Sequence, residues 1–246
     1  MEKVHELLGY HNIKIIQHDD MFSFSGDSML LAHFVNVTNK TKRIIDLGCG
    51  NAPIPLYLTL KTKAKIIGVD IQSEICDMAR RSVSLNNLDD QIEIINSDIK
   101  DIYKTVGTNC FDIVTSNPPY FKYKESSNIN KNDYLTIARH EVKIDLDGIV
   151  HEAKKLLNEG GCLYMVHRAE RFSEIVKCLD KYHFAIKRLK FMYPKKNSSE
   201  ALLVIFEAKN NAKEGMKVLP PIFMYNEDGT YTDEALEVFN FKKQNL

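Results

Sequence analysis

From Arg43 onward, short runs of β-branched and other apolar residues alternate with helical patterns. That alternation leaves one main architecture, a parallel sheet with helices on both faces. Buried strands are expected near Ile44–Leu47, Lys65–Val69, Ile92–Ile95, Phe111–Thr115, Cys162–His167, Phe184–Met192 and Leu202–Glu207. Helical patterns run over Pro53 to Leu60, Ser73 to Asn86 and Asp147 to Leu157, with a short turn at Ile99–Tyr103 and another helix from Arg168 to about Lys181. Ser73 and Glu74 ahead of apolar Ile75, Met78, Ala79 and Val83 read as a capped amphipathic helix. No helical pattern separates the last two strands, which are joined through Tyr193 to Ser198, so they form a hairpin. The expected sheet therefore has seven strands.

The 246 residues suffice for one large domain with a substantial core. Residues 41–210 are expected to form that core, 1–40 an N-terminal extension and 211–246 a C-terminal tail packed on it. Lys plus Arg and Asp plus Glu number 33 each, so bulk charge favours neither nucleic acid nor membrane, and any polyanion site is local. The five cysteines are scattered and lack a Cys-x-x-Cys pair, which argues against a disulfide framework and against a metal site. The start, Met1 to Glu6, lacks the apolar core of a secretory signal, and no apolar run approaches a membrane span. A cytoplasmic protein is expected, with no obligate protein partner evident.

Chemistry is expected at the strand ends. Asp46-Leu47-Gly48-Cys49-Gly50 puts two glycines between the first strand and a helix opening at Pro53, where backbone can come close to a ligand. Ala52 stands where a dinucleotide fingerprint would carry a third glycine, and no P-loop Lys follows, so a phosphate cradle is disfavoured. Asp70 closes the second strand about twenty residues later, where one carboxylate can hold both hydroxyls of a ribose. Asp98 and Ile99 follow the third strand and set a polar group beside an apolar one, as an adenine ring requires. The fourth strand runs into Asn117-Pro118-Pro119-Tyr120. Two prolines stop the ladder and hold the preceding residues extended, so the Asn117 side-chain oxygen, the Pro118 carbonyl and the Tyr120 ring offer two acceptors and a flat face to a planar amine. Taken alone, the same four residues are equally a proline turn.

A parallel sheet ending in an antiparallel hairpin, with Asp46, the Gly turn, Asp70 and Asp98 in this order, resembles the class I S-adenosylmethionine-dependent methyltransferases, which have a Rossmann-like α/β fold. The resemblance implies that Gly48, Cys49 and Gly50 pass under the methionine part of the cofactor and that Asp46 favours its positive end. It further implies that Asp70 with Ile71 holds the ribose and that Asp98 with Ile99 faces the adenine. Asn117-Pro118-Pro119-Tyr120 narrows the likeness to amino methyltransferases, in which Asn117, Pro118 and Tyr120 would be catalytic and Asn117 would also border the cofactor. No metal is implied.

The segment Phe22 to Ala32 and the tail Leu219 to Thr232 are similar to those of bacterial valine-tRNA adenine-37 N6-methyltransferases, a likeness that runs from about Gln17 to Glu234. It implies tRNA as partner, with Ser25 to Asp27 as a turn over the cofactor pocket. Pro119, Tyr120 and Phe121 are then candidates for base contact, and Lys122, Lys124, Arg139, Lys195 and Lys196 for substrate contact. Ordinary core packing is the plain alternative for Tyr120, solvated loop charge for the lysines, and a solvated helix start for Arg139. Asn51-Ala52-Pro53 departs from the family pattern, where a further glycine is expected. Two other enzymatic readings stay open, a protein-glutamine N5-methyltransferase and an RNA guanine N2-methyltransferase. Only about forty residues precede Asp46, too few for the helical domain usual in the first. A DNA adenine methyltransferase would need a larger insertion than Phe121 to Thr136. The non-enzymatic alternative is a cofactor-binding RNA module.

Overall fold

The computed structural model of the chain describes residues 1–19, 26–118, 120 and 145–240. A hairpin comes first, β1 (Glu2–Leu7) and β2 (Tyr10–His18), followed by α1 (Gly26–Phe34). The alternating part consists of β3 (Arg43–Leu47), α2 (Pro53–Leu58), β4 (Lys65–Asp70), α3 (Ser73–Leu85), β5 (Ile92–Asn96), α4 (Tyr103–Val106), β6 (Phe111–Ser116), α5 (Leu146–Leu156) and β7 (Leu157–Arg168). A 3-10 turn at Ala169–Arg171 leads into α6 (Phe172–Lys181), and the hairpin β8 (Phe184–Lys195) and β9 (Leu203–Asn210) follows. Short strands β10 (Lys217–Val218) and β11 (Ile222–Tyr225) and helix α7 (Asp233–Phe239) complete the described chain.

The main sheet runs β10-β8-β9-β7-β6-β3-β4-β5, with β11 also on β8. β3 to β7 pair in parallel, and β9 is antiparallel to both β7 and β8. This is the expected α/β class I methyltransferase fold with its antiparallel last core strand. The expected count of seven strands was low. The sheet has nine among the described residues, because the tail lays β10 and β11 parallel along the outer edge of β8. Those strands are two and four residues long, too short to show a period in the sequence.

The central strands are buried on both faces, as their Ile, Val and Leu content requires. One face packs against β1, β2, α1, α2, α3 and α7 through residues such as Ile15, Leu31, Leu56, Ala79 and Val238. The other packs against α5 and α6 through Ile149, Ala153, Ile175 and Leu179. α3 begins as expected, but Ser73 is its first residue and not its cap. Gln72 occupies the cap position without a side-chain bond, and the Ser73 hydroxyl donates to Glu74 Oε2 at 2.9 Å. No described helix is long and apolar enough to cross a membrane.

β2 lies on the core through side chains that finish its backbone bonding. Lys14 N–H donates to Asn86 Oδ1 at 2.8 Å, and Asn86 Nδ2 returns a bond to the Lys14 carbonyl at 2.6 Å. Ile16 N–H donates to Ser82 Oγ at 2.9 Å, and its carbonyl accepts from Asn51 Nδ2 at 2.8 Å. At the hairpin turn, a Cβ on Gly9 would lie 2.1 Å from the Asn240 carbonyl oxygen, so only glycine lets the end of α7 seat there. Asn86→Ala removes both bonds to Lys14 and should lower stability by about 1–2 kcal/mol in a denaturant titration. A change within error would show that the Asn86 bonds add nothing to the packing and the Ile16 bonds that hold the hairpin.

Candidate active site

The strand order reverses between β3 and β6, since β4 and β5 continue on one side and β7 on the other. Such a reversal opens a crevice beyond the carboxyl ends of the strands, the usual ligand position in sheets of this kind. Two groups of residues meet there, one on β3, β4 and β5 and one on β6.

The first group is built around Gly48 (φ 75°), Gly50 (φ 55°) and Ala52 (φ 71°), all in the left-handed region. Ala52 thus supplies the conformation for which a third glycine was expected, at a cost of about 1–2 kcal/mol. The Gly48 and Cys49 N–H groups both donate to the Val69 carbonyl at 2.9 Å, and Gly50 N–H donates to Asp70 Oδ2 at 3.0 Å. Among the described residues, a Cβ on Gly50 would meet nothing within 4 Å, and one on Gly48 only Ile99 Cδ1 at 4.0 Å, so these residues leave space against the turn. Cys49 is 3% exposed, its thiol packed against β4. A Cβ on Gly68 would sit 2.9 Å from Cys49 Sγ.

Asp70 is buried, and its other oxygen, Oδ1, accepts from Gln72 N–H at 3.0 Å. Each oxygen keeps a second lone pair for a ligand hydroxyl. Burial raises the Asp70 pKa, and the N–H bonds from Gln72 and Gly50 oppose the rise. Ile71 follows it, half-buried. Asp98 is exposed and turns its Oδ1 onto Lys100 N–H at 2.9 Å, while Ile99 beside it is 8% exposed.

Asp46 is 1% exposed and paired in register with Thr115, whose hydroxyl donates to Asp46 Oδ1 at 2.6 Å. Its Oδ2 has no hydrogen-bond partner among the described residues. Burial pushes the Asp46 pKa up to about 7, helped by the Asp70 charge and opposed by the Thr115 hydroxyl. A carboxylate in that state lacks a cationic partner. A cation that pairs with the ionised form binds less well as pH falls through 7, because Asp46 must first lose a proton. Calorimetric titration with S-adenosylmethionine from pH 6 to 8.5 should show affinity rising to a plateau above about 7, and Asp46→Asn should flatten that profile. An unchanged profile in the variant would remove Asp46 from the cofactor side.

The second group is on the acceptor side. The Ser116 hydroxyl donates to the Leu47 carbonyl at 2.9 Å and pins the end of β6 to β3. Asn117 comes next. Its Nδ2 donates to Ser28 Oγ at 3.0 Å, and its Oδ1 lies 2.7 Å from the Tyr120 hydroxyl. That hydroxyl is also 2.9 Å from Asp27 Oδ2, so one phenolic proton faces two acceptors. Burial and the Asp27 charge hold the phenol far above its usual pKa, and it stays protonated. The Asn117 oxygen has two lone pairs and gives at most one to Tyr120. Pro118 is buried beside it.

The strand ends thus bring Asp46, Gly48, Cys49, Gly50, Asp70, Ile71, Ile99 and Asn117 to one edge of the sheet. Asp27 was expected at the cofactor, and its Oδ2 lies 2.9 Å from the hydroxyl of the acceptor-side Tyr120. The Tyr120 ring was expected to stack on a base, and one side of it lies against His167 with centroids 5.5 Å apart. Lys195 donates to the Glu227 carbonyl at 3.0 Å, and Lys196 is exposed. Lys195 ends β8 and Lys196 follows it, and β8 lies three places from β6, about 14 Å at the usual strand spacing. Ser25, Pro119, Phe121, Lys122, Lys124 and Arg139 lie outside the described residues.

Sequence reasoning missed Ser28, Asn51 and Thr115. Ser28 and Asn51 act on partners 89 and 35 residues away, and no local pattern announces such a pair. Thr115 could have been found, because a hydroxyl on the strand beside a buried Asp is a natural donor to it.

The model of the methyltransferase small domain family matches residues 12–192. A relative from Phocaeicola vulgatus named tRNA1(Val) (adenine(37)-N6)-methyltransferase is 27% identical over 70% of each chain. A Methanocaldococcus jannaschii protein, named with reserve as a protein N5-glutamine methyltransferase, is 29% identical over 65% of this chain and 78% of its own. The solved structure of an Agrobacterium tumefaciens protein described as an O-methyltransferase superposes with a TM-score of 0.68 at 20% identity, over 89% of this chain and all of the other. That likeness speaks to the fold. The family match covers most of the chain, including every strand that lines the crevice, and on that ground the chain belongs to the methyltransferase small domain family.

Proposed function

We propose that the chain transfers a methyl group from S-adenosylmethionine to the exocyclic N6 of an adenine in tRNA, at position 37 of a valine tRNA. The observation that carries the reading is Asn117, held at the strand end by Ser28 and Tyr120 with an oxygen lone pair to spare, next to the open Gly turn. The name of the Phocaeicola relative supports the choice of adenine and of tRNA.

The residues present fit the cofactor. The space against Gly48 and Gly50 admits its backbone-hugging part, Asp70 has lone pairs for a ribose diol, and the unpartnered Asp46 Oδ2 suits a positive charge. Ile99, with Asp98 beside it, offers an apolar face to an adenine ring. When bound, S-adenosylmethionine supplies an electrophilic methyl group on a sulfonium. Everything else is positioning by the chain. An exocyclic amine shares its lone pair with its ring and is a poor nucleophile. Accepting its two N–H groups at Asn117 Oδ1 and the Pro118 carbonyl turns that lone pair out of conjugation and places two dipoles against the positive charge that develops on nitrogen. The extra proton leaves to solvent, and no side-chain base is required. A base stacked on the outer side of Tyr120 would gain about 1–3 kcal/mol, and a loop base avoids the cost of flipping from a duplex.

Residues 1–246 act as one domain in this reading, because β1, β2, α1 and α7 share a core with the central sheet. We place the reaction in the cytoplasm, with tRNA. A second reading, methylation of a protein glutamine, is favoured by the Methanocaldococcus relative, since a side-chain amide can present N–H groups to the same acceptors. Incubation with labelled S-adenosylmethionine and bulk tRNA from a strain lacking this enzyme separates the two. The expected result is label in N6-methyladenosine. Label in guanine, or in protein and not in RNA, would overturn the proposal.

A further inference from the structure

Tyr120 follows two prolines, yet it is held at three separate points. Its hydroxyl lies between Asp27 and Asn117 at 2.9 and 2.7 Å. Its ring rests on His167, which is fully buried at the end of β7 with centroids 5.5 Å apart and a tilt of 49°. Its carbonyl accepts a bond from Arg171 Nη1 at 3.0 Å.

Arg171 is the unusual member. It stands at the end of the 3-10 turn after β7, and Glu174 grips it from the other side, Nε to Oε2 at 3.2 Å and Nη2 to Oε1 at 2.8 Å. Its side chain is only 11% exposed. A guanidinium so buried and so paired is poorly placed to meet an RNA phosphate. Its planar fork instead spans two acceptors at fixed angles, which a lysine cannot do. His167 supports the same residue. Its Nδ1 accepts from Arg168 N–H at 2.8 Å, so the ring proton sits on Nε2, which has no hydrogen-bond partner among the described residues. Burial and the nearby Arg171 charge bring its pKa down to about 4, so it stays neutral beside the arginine.

We propose that Arg171, aligned by Glu174 and backed by His167, is a positioning residue that fixes the main chain of Tyr120 and thereby the plane on which the substrate base stacks. The inference rests on the reading of Tyr120 as the stacking face. Arg171 acts through Tyr120, whose carbonyl it holds. A flat surface held in advance lets the base settle in one orientation, with its amine at Asn117.

The test is a double-mutant cycle on kcat/KM with the tRNA substrate, with cofactor affinity and melting temperature measured alongside. Arg171→Ala should lower kcat/KM about 10-fold to 50-fold, with cofactor affinity within 2-fold. In a Tyr120→Ala background the same substitution should cost less than about 2-fold. An anticodon stem-loop with 2-aminopurine at the target position gives an independent readout. Its fluorescence should be quenched by the wild-type enzyme and much less by Arg171→Ala. If Arg171→Ala does not fold, Arg171→Lys is measured in its place and should show the same pattern. An equal loss in both backgrounds, or loss of activity with full quenching, would overturn the proposal. Transfer by the wild-type enzyme to unmodified adenosine tests the underlying reading separately.

Discussion

Replacing Asn117 by alanine lowers methyl transfer about 10²–10³-fold, the usual cost of removing one preorganised dipole from a developing charge, while cofactor affinity stays within a few fold. The separation follows from where the side chain is anchored. Asn117 bonds to Ser28 on α1 and faces Tyr120, both on the acceptor side, whereas the Gly turn is fixed by Val69 and Asp70 without its help. Asn117→Asp keeps an acceptor and retains part of the activity, but its carboxylate cannot donate to Ser28. Equilibrium binding of S-adenosylmethionine beside single-turnover transfer measures both quantities. Loss of cofactor binding in Asn117→Ala would show that the residue mainly holds the strand end together.

Replacing Asp70 by alanine has the opposite signature and the larger effect on binding. The carboxylate caps the Gly50 N–H on one oxygen and the Gln72 N–H on the other, so it holds the Gly turn in addition to any bond to a ligand. Without it two shielded donors lose their partners, which costs about 2–3 kcal/mol of stability. Cofactor affinity falls about 100-fold or more, since the diol acceptor and the shape of the turn go together. Asp70→Asn can still accept one of the two N–H bonds and loses less of both. Isothermal titration and a denaturant melt on the two variants check this. A stable Asp70→Ala protein with near-normal cofactor affinity would move the ribose site elsewhere.

The alternation of strands and helices and the four strand-end motifs were legible because each is local. Asp46, the Gly turn, Asp70 and Asn117 belong to contiguous segments, and a parallel sheet necessarily brings the ends of its strands to one edge. What the sequence did not disclose is non-local. Asp27 was read as part of a turn over the cofactor, and its contact with Tyr120 depends on how α1 lies across the sheet, 93 residues away in sequence. Asn51 looked like a defect in a glycine pattern. It reaches the Ile16 carbonyl and ties the first hairpin to the cofactor turn. Ser73 looked like a cap, but the chain enters the helix one residue earlier, so its hydroxyl went to Glu74. The i,i+3 pair of Arg171 with Glu174 is local, but the bond of Arg171 to the Tyr120 carbonyl had no signature, because a main-chain acceptor looks the same at every residue.

The most direct measurement of the proposed activity uses two synthetic anticodon stem-loops of valine tRNA, one with adenosine at position 37 and one with inosine there, so that only the first carries an exocyclic amine at the purine 6-position. Each is incubated with the purified enzyme and labelled S-adenosylmethionine, and the products are separated as nucleosides. The expected result is one methyl group per adenosine loop, recovered as N6-methyladenosine, and none in the inosine loop. Equal methylation of both loops, or label in any nucleoside other than N6-methyladenosine, would contradict the assignment of Asn117 and Pro118 as acceptors for the adenine amine.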